Sequence, residues 1–256
     1  MRVNFWTIGR RTVQVAVLLL LASPVSGWRG FQGNLGSASL SGLLLSDPLA
    51  ALQVFLLTGA LALPLLIGSA SVLAVYGVLG GRFFCGWICP VGLLTDLSDR
   101  LPGRRNRPSW RLGWKGLVLA LTLLFSLLLG MPVFETLSPI GIAGRALSFG
   151  PGAEVILLAL IVASELLLVR RLWCRSLCPL GGFYALIGRL SPLKVGYRRD
   201  RCIHCGRCRE VCFVPEVLAP PLEEGATLVK SGECSRCGAC IGTCPVSALT
   251  LRFGKP

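Results

Sequence analysis

The sequence predicts an all-α membrane bundle of four transmembrane helices, built as two parallel-repeat hairpins, followed by a small cysteine-rich α+β domain at the C-terminus. Three observations predict it. Apolar residues make up 53% of the chain and charged residues only 15%, with a mean hydropathy of +0.70, which is a membrane-protein composition rather than that of two soluble domains. The apolar residues gather in separate stretches of about one bilayer span each. The cysteines, 12 in all, fall mostly into two runs of identical spacing after residue 200. The domains expected are 1–196 for the membrane part and 197–256 for the C-terminal part.

The first span is expected over Thr12–Trp28, after a short basic start carrying Arg2, Arg10 and Arg11, with Trp28 at the far interface. A retained span is preferred because more spans follow. A secretory leader of twin-arginine type is the other reading. Gly30 to Pro48 is Gly/Ser-rich and almost uncharged. The run from Leu49 to Gly81 is too long for one span across a ~30 Å hydrocarbon core. It divides into an interfacial helix near Leu49–Leu57 and a second span near Leu61–Gly81. Gly116–Phe134 and Pro151–Val169 supply the third and fourth spans.

The formal charge of +14 could point to nucleic acid, but its placement points elsewhere. Of the 26 Lys and Arg, all but Arg29 and Arg145 lie in the N-terminus, the Arg82–Lys115 loop or the segment from Arg170 onward. Four spans put those three segments on one side of the bilayer. By the positive-inside rule that side is the cytoplasm, so the expected location is the bacterial inner membrane, with both termini and the C-terminal domain cytoplasmic. The basic excess serves topology and attraction to anionic lipid. No interleaved aromatic-basic pattern suggests nucleic acid.

The two cysteine runs read Cys202-x2-Cys205-x2-Cys208-x3-Cys212 and Cys234-x2-Cys237-x2-Cys240-x3-Cys244. This is the ligand pattern of a two-cluster bacterial ferredoxin, in which three thiolates of one run hold one cube and the fourth reaches the other. Cys202, Cys205, Cys208 and Cys244 are expected on one [4Fe–4S] cluster, and Cys234, Cys237, Cys240 and Cys212 on the other. Gly206, Gly238 and Ala239 leave room for backbone amides near the sulfurs. Pro245 follows the last cysteine, but Phe213 stands at the corresponding place in the first run. Disulfides are rare in the cytosol, and zinc sites favour paired C-x2-C arrangements. With a single histidine in the chain, haem held by histidine is close to excluded.

The remaining cysteines form two copies of C-x3-C-P. Arg82-Phe-Phe-Cys85-Gly-Trp-Ile-Cys89-Pro90-Val-Gly92 aligns with Arg171-Leu-Trp-Cys174-Arg-Ser-Leu-Cys178-Pro179-Leu-Gly181. Leu45-Ser46-Asp47-Pro48 echoes Leu137-Ser138-Pro139 on the other side. Two hairpins of equal orientation make a parallel repeat about an axis along the membrane normal. Residues four apart share a helical face, and the following proline breaks the helix. Three readings stay open for Cys85, Cys89, Cys174 and Cys178: a third metal or cluster site, a redox-active dithiol, or inert thiols buried at a helix end.

With both motif types placed, the chain resembles the NapH/MauN family of membrane ferredoxin-type proteins. The stretch Phe31-Gln-Gly-Asn-Leu-Gly-Ser37 and the following Ser46-Asp-Pro48 are similar to that family's first periplasmic loop. The resemblance covers nearly the whole chain. It implies a quinol dehydrogenase role, with electrons leaving membrane quinol for a periplasmic reductase of the nitrate reductase type, through a partner iron–sulfur protein and c-type cytochromes. An accessory role in maturing a periplasmic metalloenzyme, and a non-catalytic docking scaffold, are the alternatives.

Quinol oxidation releases protons and needs a base. Glu154 and Glu165 are the candidates, since both fall in the expected fourth span and share a helical face. The plainer readings are an ion pair of Glu165 with Arg82 or Arg170, and an interfacial position for Glu154. His204 is expected on an exposed loop, and Tyr76 in ordinary packing.

Overall fold

The computed structural model describes residues 5–23, 31–33, 36–40, 43–60, 62–98, 114–150, 152–167 and 171–254. Trp28 and Arg170, both used in the sequence reading, lie outside the described residues. In chain order the elements are helix α1 (Phe5–Ala22), strands β1 (Phe31–Gly33), β2 (Ser37–Leu40) and β3 (Leu43–Ser46), and helices α2 (Pro48–Thr58) and α3 (Leu63–Leu79). Helices α4 (Phe83–Trp87), α5 (Pro90–Ser98), α6 (Trp114–Leu129), α7 (Val133–Leu137), α8 (Pro139–Phe149) and α9 (Val155–Leu167) follow. A π-helical turn (Trp173–Leu177) leads into α10 (Pro179–Leu190), strand β4 (Leu193–Tyr197), helices α11 (Arg207–Val211) and α12 (Ala219–Glu223), strand β5 (Leu228–Val229), helix α13 (Ala239–Thr243) and strand β6 (Leu249–Phe253).

The helical stretches fall where the apolar runs predict them, but several are shorter. Helix α1 begins at Phe5, not Thr12, and takes Arg10 and Arg11 into the helix. Among the described residues it is the one helix long and apolar enough to cross a membrane; α3, α6 and α9 are apolar but shorter. Glycine explains two of the early ends. Gly80 (φ 107°) follows α3 and Gly130 (φ 67°) follows α6, backbone conformations that stop an α-helix and favour a residue without Cβ. The interfacial helix near Leu49–Leu57 appears as α2, ended by Gly59 at φ 68°.

The chain divides into two compact units. One comprises Val15–Val75 and Cys89–Phe183. The Gly/Ser-rich segment that carries no helix signal forms an antiparallel meander here, β1–β2–β3. Asp47 and Ser138 both precede a helix whose first residue is proline, and the Ser138 hydroxyl accepts the Gly141 amide. Asp47 and Ser138 thus hold the same N-cap position ahead of a proline, giving structural form to the echo between Ser46-Asp47-Pro48 and Ser138-Pro139, although only the Ser138 side chain makes the cap hydrogen bond. The buried core of the unit includes Leu21, Leu49, Val91, Leu119, Ile142 and Ile161. Two polar pairs lie in its interior: the Gln53 amide donates to the Ser126 hydroxyl at 2.7 Å, and Arg171 is ion-paired with Asp96. Helices α3, α6 and α9 also present apolar side chains outward, among them Ile67, Val75, Leu117, Leu124, Leu128 and Leu160.

The other unit comprises Met1–Gln14, Tyr76–Ile88 and Tyr184–Pro256. Its sheet has the order β5–β4–β6, all antiparallel, with Val195 opposite Val229 on one side and Leu251 on the other. Strand β4 begins at Leu193, so the boundary expected at 197 cuts the end of the central strand. Close backbone approaches join the pieces of this unit. A Cβ on Gly232 would fall 1.8 Å from the Ala185 carbonyl oxygen, and one on Gly81 would fall 1.8 Å from that of Tyr184. Only glycine permits either contact.

Candidate metal centres

All the cysteines lie among the described residues, and none forms a disulfide. The two runs fold into the same backbone shape. His204 and Arg236 occupy the left-handed region at φ 51° and 50°. Gly206 and Gly238 follow at φ 73° and 72°, each opening a one-turn helix, α11 or α13. Cys212 and Cys244 end those helices in extended conformation. Each run thereby curls three cysteines around a loop and sends the fourth away on a short helix.

The fourth cysteines cross over. One cavity is lined by Cys202, Cys205, Cys208 and Cys244, together with Tyr197 and His204. A second is lined by Cys234, Cys237, Cys240 and Cys212, with Phe213 and Arg236. The structure thus brings together the two sets of four that the spacing pairs. Backbone amides approach the sulfurs, His204 N–H to Cys202 Sγ at 3.4 Å and Ala248 N–H to Cys244 Sγ at 3.3 Å. Such donors favour the thiolate over the thiol.

Burial alone opposes ionisation. It pushes the thiols of Cys208, Cys234 and Cys240 above the usual cysteine range. A cationic centre removes that penalty, because a thiolate is the form that binds metal. Among the described residues, no three His, Cys, Asp or Glu side chains converge closely enough to hold a single ion. A cubane presents a separate iron corner to each thiolate, so four sulfurs around a cavity suit it where one tetrahedral ion would require convergence. The donor set therefore fits an iron–sulfur cluster in each cavity.

The two loops differ in surroundings. Ile203, His204, Cys205 and Arg207 of the first are exposed. Ser235, Arg236, Gly238 and Cys240 of the second are buried. The Arg236 guanidinium donates to the carbonyls of Leu193 (3.1 Å), Cys234 (2.7 Å) and Gly188 (2.8 Å). Trp87 Nε1–H donates to the Arg236 carbonyl at 3.2 Å. Trp6 lies where a Cβ on Gly238 would sit, 2.4 Å from its Cδ2, and meets Trp87 edge to face.

Arg82 completes this wall. It is fully buried and donates to the Glu233 carboxylate at 2.5 Å and the Glu233 carbonyl at 3.0 Å. Its guanidinium also stands over the Phe213 ring, 5.4 Å from the centroid. Phe213, which takes the usual proline position, is thus a buried ring facing a cation. The sequence reading did not single out Glu233, Arg236 or Tyr197. Arg236 carried a readable signal, since it occupies the same loop position as His204. Tyr197 is buried beside Cys202, and the neighbouring Cys202 sulfur, followed by burial, pushes its hydroxyl up to about 12.

The C-x3-C-P motifs each sit at a helix break. Cys85 lies in α4 and Cys89 just before the proline that opens α5. Cys174 lies in the π-helical turn, where the Cys178 amide bonds back to the Trp173 carbonyl, and Cys178 is extended (ψ 111°) ahead of Pro179. That extension is what a following proline imposes. The π turn departs from the regular helix expected around Cys174. Cys89 and Cys178 are buried, while Cys85 and Cys174 are half-buried.

Of the proton-transfer candidates, Glu154 lies in the turn before α9 rather than within it. Its carboxylate takes a bidentate pair from Arg145 at 3.0 and 2.9 Å. Glu165 lies within α9, and its side chain is outside the described residues. Tyr76 packs against Phe84 and Tyr184, and His204 is exposed.

The comparisons with known proteins agree with this geometry. A family model described as a 4Fe-4S dicluster domain matches residues 194–245. One described as a 4Fe-4S binding domain matches twice, at 61–109 and 151–198, with one C-x3-C-P motif in each match. The chain is 39% identical to the methylamine utilization ferredoxin-type protein MauN of Methylorubrum extorquens, over 97% of this chain and 88% of the relative. It is 36% identical to the ferredoxin-type protein NapH of Haemophilus influenzae, over 95% and 87%, and 31% identical to NapH of Escherichia coli, over 98% and 90%. No solved structure matches the chain. Crossed sets of four cysteines, a duplicated C-x3-C-P motif and relatives aligned over nearly the whole of this chain place it in the NapH/MauN family of ferredoxin-type iron–sulfur electron-transfer proteins.

Proposed function

We propose that this protein is the membrane-anchored component that draws electrons from quinol and sends them towards a periplasmic reductase, of the nitrate reductase type, through a partner iron–sulfur protein and c-type cytochromes. One [4Fe–4S] cluster is held by Cys202, Cys205, Cys208 and Cys244, and the other by Cys234, Cys237, Cys240 and Cys212. The observation that carries the assignment is the crossing of the fourth cysteines between the two cavities. When bound, the clusters supply storage for one electron at a time.

The chain's own residues do the rest. Arg82, Trp87 and Arg236 fix the loop of the buried site, while the loop around Cys205 faces solvent, where a partner can approach. Helix α1 and the outward apolar faces of α3, α6 and α9 support anchoring in the inner membrane. The concentration of Lys and Arg in the C-terminal segment supports its cytoplasmic side, next to anionic lipid. Glu165 is the proposed proton acceptor in the membrane; Glu154, already neutralised by Arg145, is the weaker candidate.

The test is reduction of the purified protein, in lipid nanodiscs under nitrogen, by menaquinol. Bleaching of the visible iron–sulfur absorbance with appearance of a reduced-cluster EPR signal is expected. Clusters that dithionite reduces but quinol leaves oxidised would contradict the reading and favour an accessory role.

A further inference from the structure

Tyr197 ends β4, immediately ahead of the first cysteine loop, and is 6% exposed. Its hydroxyl oxygen is buried and has no hydrogen-bond partner among the described residues. The side chain lines the same cavity as Cys202, Cys205, Cys208 and Cys244. A buried hydroxyl left without an acceptor is destabilising, so native structures rarely keep one. The second cavity has no counterpart. Val229 stands before Cys234 as Tyr197 stands before Cys202, and the aromatic residue lining that cavity is Phe213.

We infer that the Tyr197 hydroxyl is a positioning donor for the solvent-facing cluster, donating a hydrogen bond to a cluster sulfur or to Cys202 Sγ and raising the potential of that cluster alone. The inference rests on the cluster assignment above. Its sign follows from charge. Reduction adds an electron to the sulfur-rich centre, a donor O–H stabilises the more negative state, and the reduced form gains. A higher potential at the exposed loop holds electrons at the end of the domain that a soluble partner can reach.

The experiment is an EPR-monitored redox titration of the full chain in detergent, wild type against Tyr197→Phe, with iron and sulfide counted in both. Phe keeps the ring and removes only the donor. We expect one of two midpoints to become more negative, by about threefold in the reduced-to-oxidised ratio at fixed potential, or ~28 mV at 59 mV per decade for one electron. The other midpoint stays in place. The centre that moves must be the one whose signal Cys205→Ser alters. Two unchanged midpoints, or a shift confined to the other centre, overturn the inference while leaving the two clusters intact. A wild type without two such centres defeats the cluster assignment itself, and this inference with it. If the Phe variant loses iron, 3-fluorotyrosine at position 197 keeps the ring and strengthens the donor. The same midpoint must then rise, and an unmoved midpoint overturns the inference.

Discussion

The Arg82 guanidinium reaches both the side chain and the main chain of Glu233, at 2.5 and 3.0 Å, one residue before Cys234. Arg82 also opens the first C-x3-C-P motif, so a single buried ion pair ties that motif to the second cysteine loop. Removing one partner from a buried pair leaves the other charge without compensation, at a cost of about 3–5 kcal/mol. Arg82→Leu should therefore lower the temperature at which iron–sulfur absorbance is lost and reduce iron retained on purification. Arg82→Lys should recover only part of it, because the fork that binds carboxylate and carbonyl together is absent. Wild-type iron retention and melting in Arg82→Leu would contradict this role.

Gly232 and Gly206 separate two uses of glycine. At Gly232 a Cβ meets the Ala185 carbonyl at 1.8 Å, whereas at Gly206 (φ 73°) nothing lies within 4 Å. Gly232→Ala should fail to accumulate as a folded, iron-containing protein. Gly206→Ala carries only the left-handed penalty, about 1–2 kcal/mol, and should fold with a lowered melting temperature. Equal yields of the two variants would show that the approach of the Gly232 loop to α10 is not required.

Thiol ionisation gives a pH dependence with a fixed sign. Burial raises the pKa of Cys208, Cys234 and Cys240 in the metal-free fold above the ordinary thiol range. The metal-free fold thus keeps its full share of stability below the ordinary thiol pKa and loses it as pH rises through the folded values. Iron loading displaces those protons, so cluster-bound protein should lack this alkaline loss, and reconstitution should release protons and strengthen as pH increases. Denaturation of chelator-stripped and reconstituted samples from pH 7 to 10 checks it. Parallel pH profiles for the two would count against thiolate–iron ligation.

The two glutamates should behave differently in turnover. Glu154 is already paired with Arg145 at the start of α9, so Glu154→Gln should leave quinol oxidation within about twofold, as expected of a surface ion pair. Glu165→Gln should abolish it while both clusters remain, if an ionisable group within a span serves proton release. Stopped-flow reduction by menaquinol distinguishes them. Unchanged turnover in Glu165→Gln ends the proton role.

Spacing made the cysteine sites legible, because x2-x2-x3 fixes which sulfurs can share a centre before any tertiary contact is known. The internal repeat was legible for a similar reason: Asp47-Pro48 and Ser138-Pro139 are local helix-start signals, and each opens a helix. Helix ends were less so. Apolar composition runs on through Gly80 and Gly130, but positive φ stops the helix. The meander at β1–β3 was hidden because Gly- and Ser-rich segments carry little strand propensity, and pairing supplies what the sequence lacks. Arg82 and Glu233 meet through a contact distant along the chain, which no local pattern encodes. The π turn at Trp173–Leu177 was likewise not legible, since the C-x3-C-P pattern reads as regular helix up to its proline.

Metal analysis of anaerobically purified protein, with acid-labile sulfide and EPR of the dithionite-reduced sample, tests the cysteine assignment most directly. Two cubanes give about eight iron and eight sulfide per chain and a spectrum of two interacting centres. About twelve of each would add a third cluster, with the C-x3-C-P thiols as its candidate ligands. A colourless preparation, or one holding zinc in place of iron, would contradict the account.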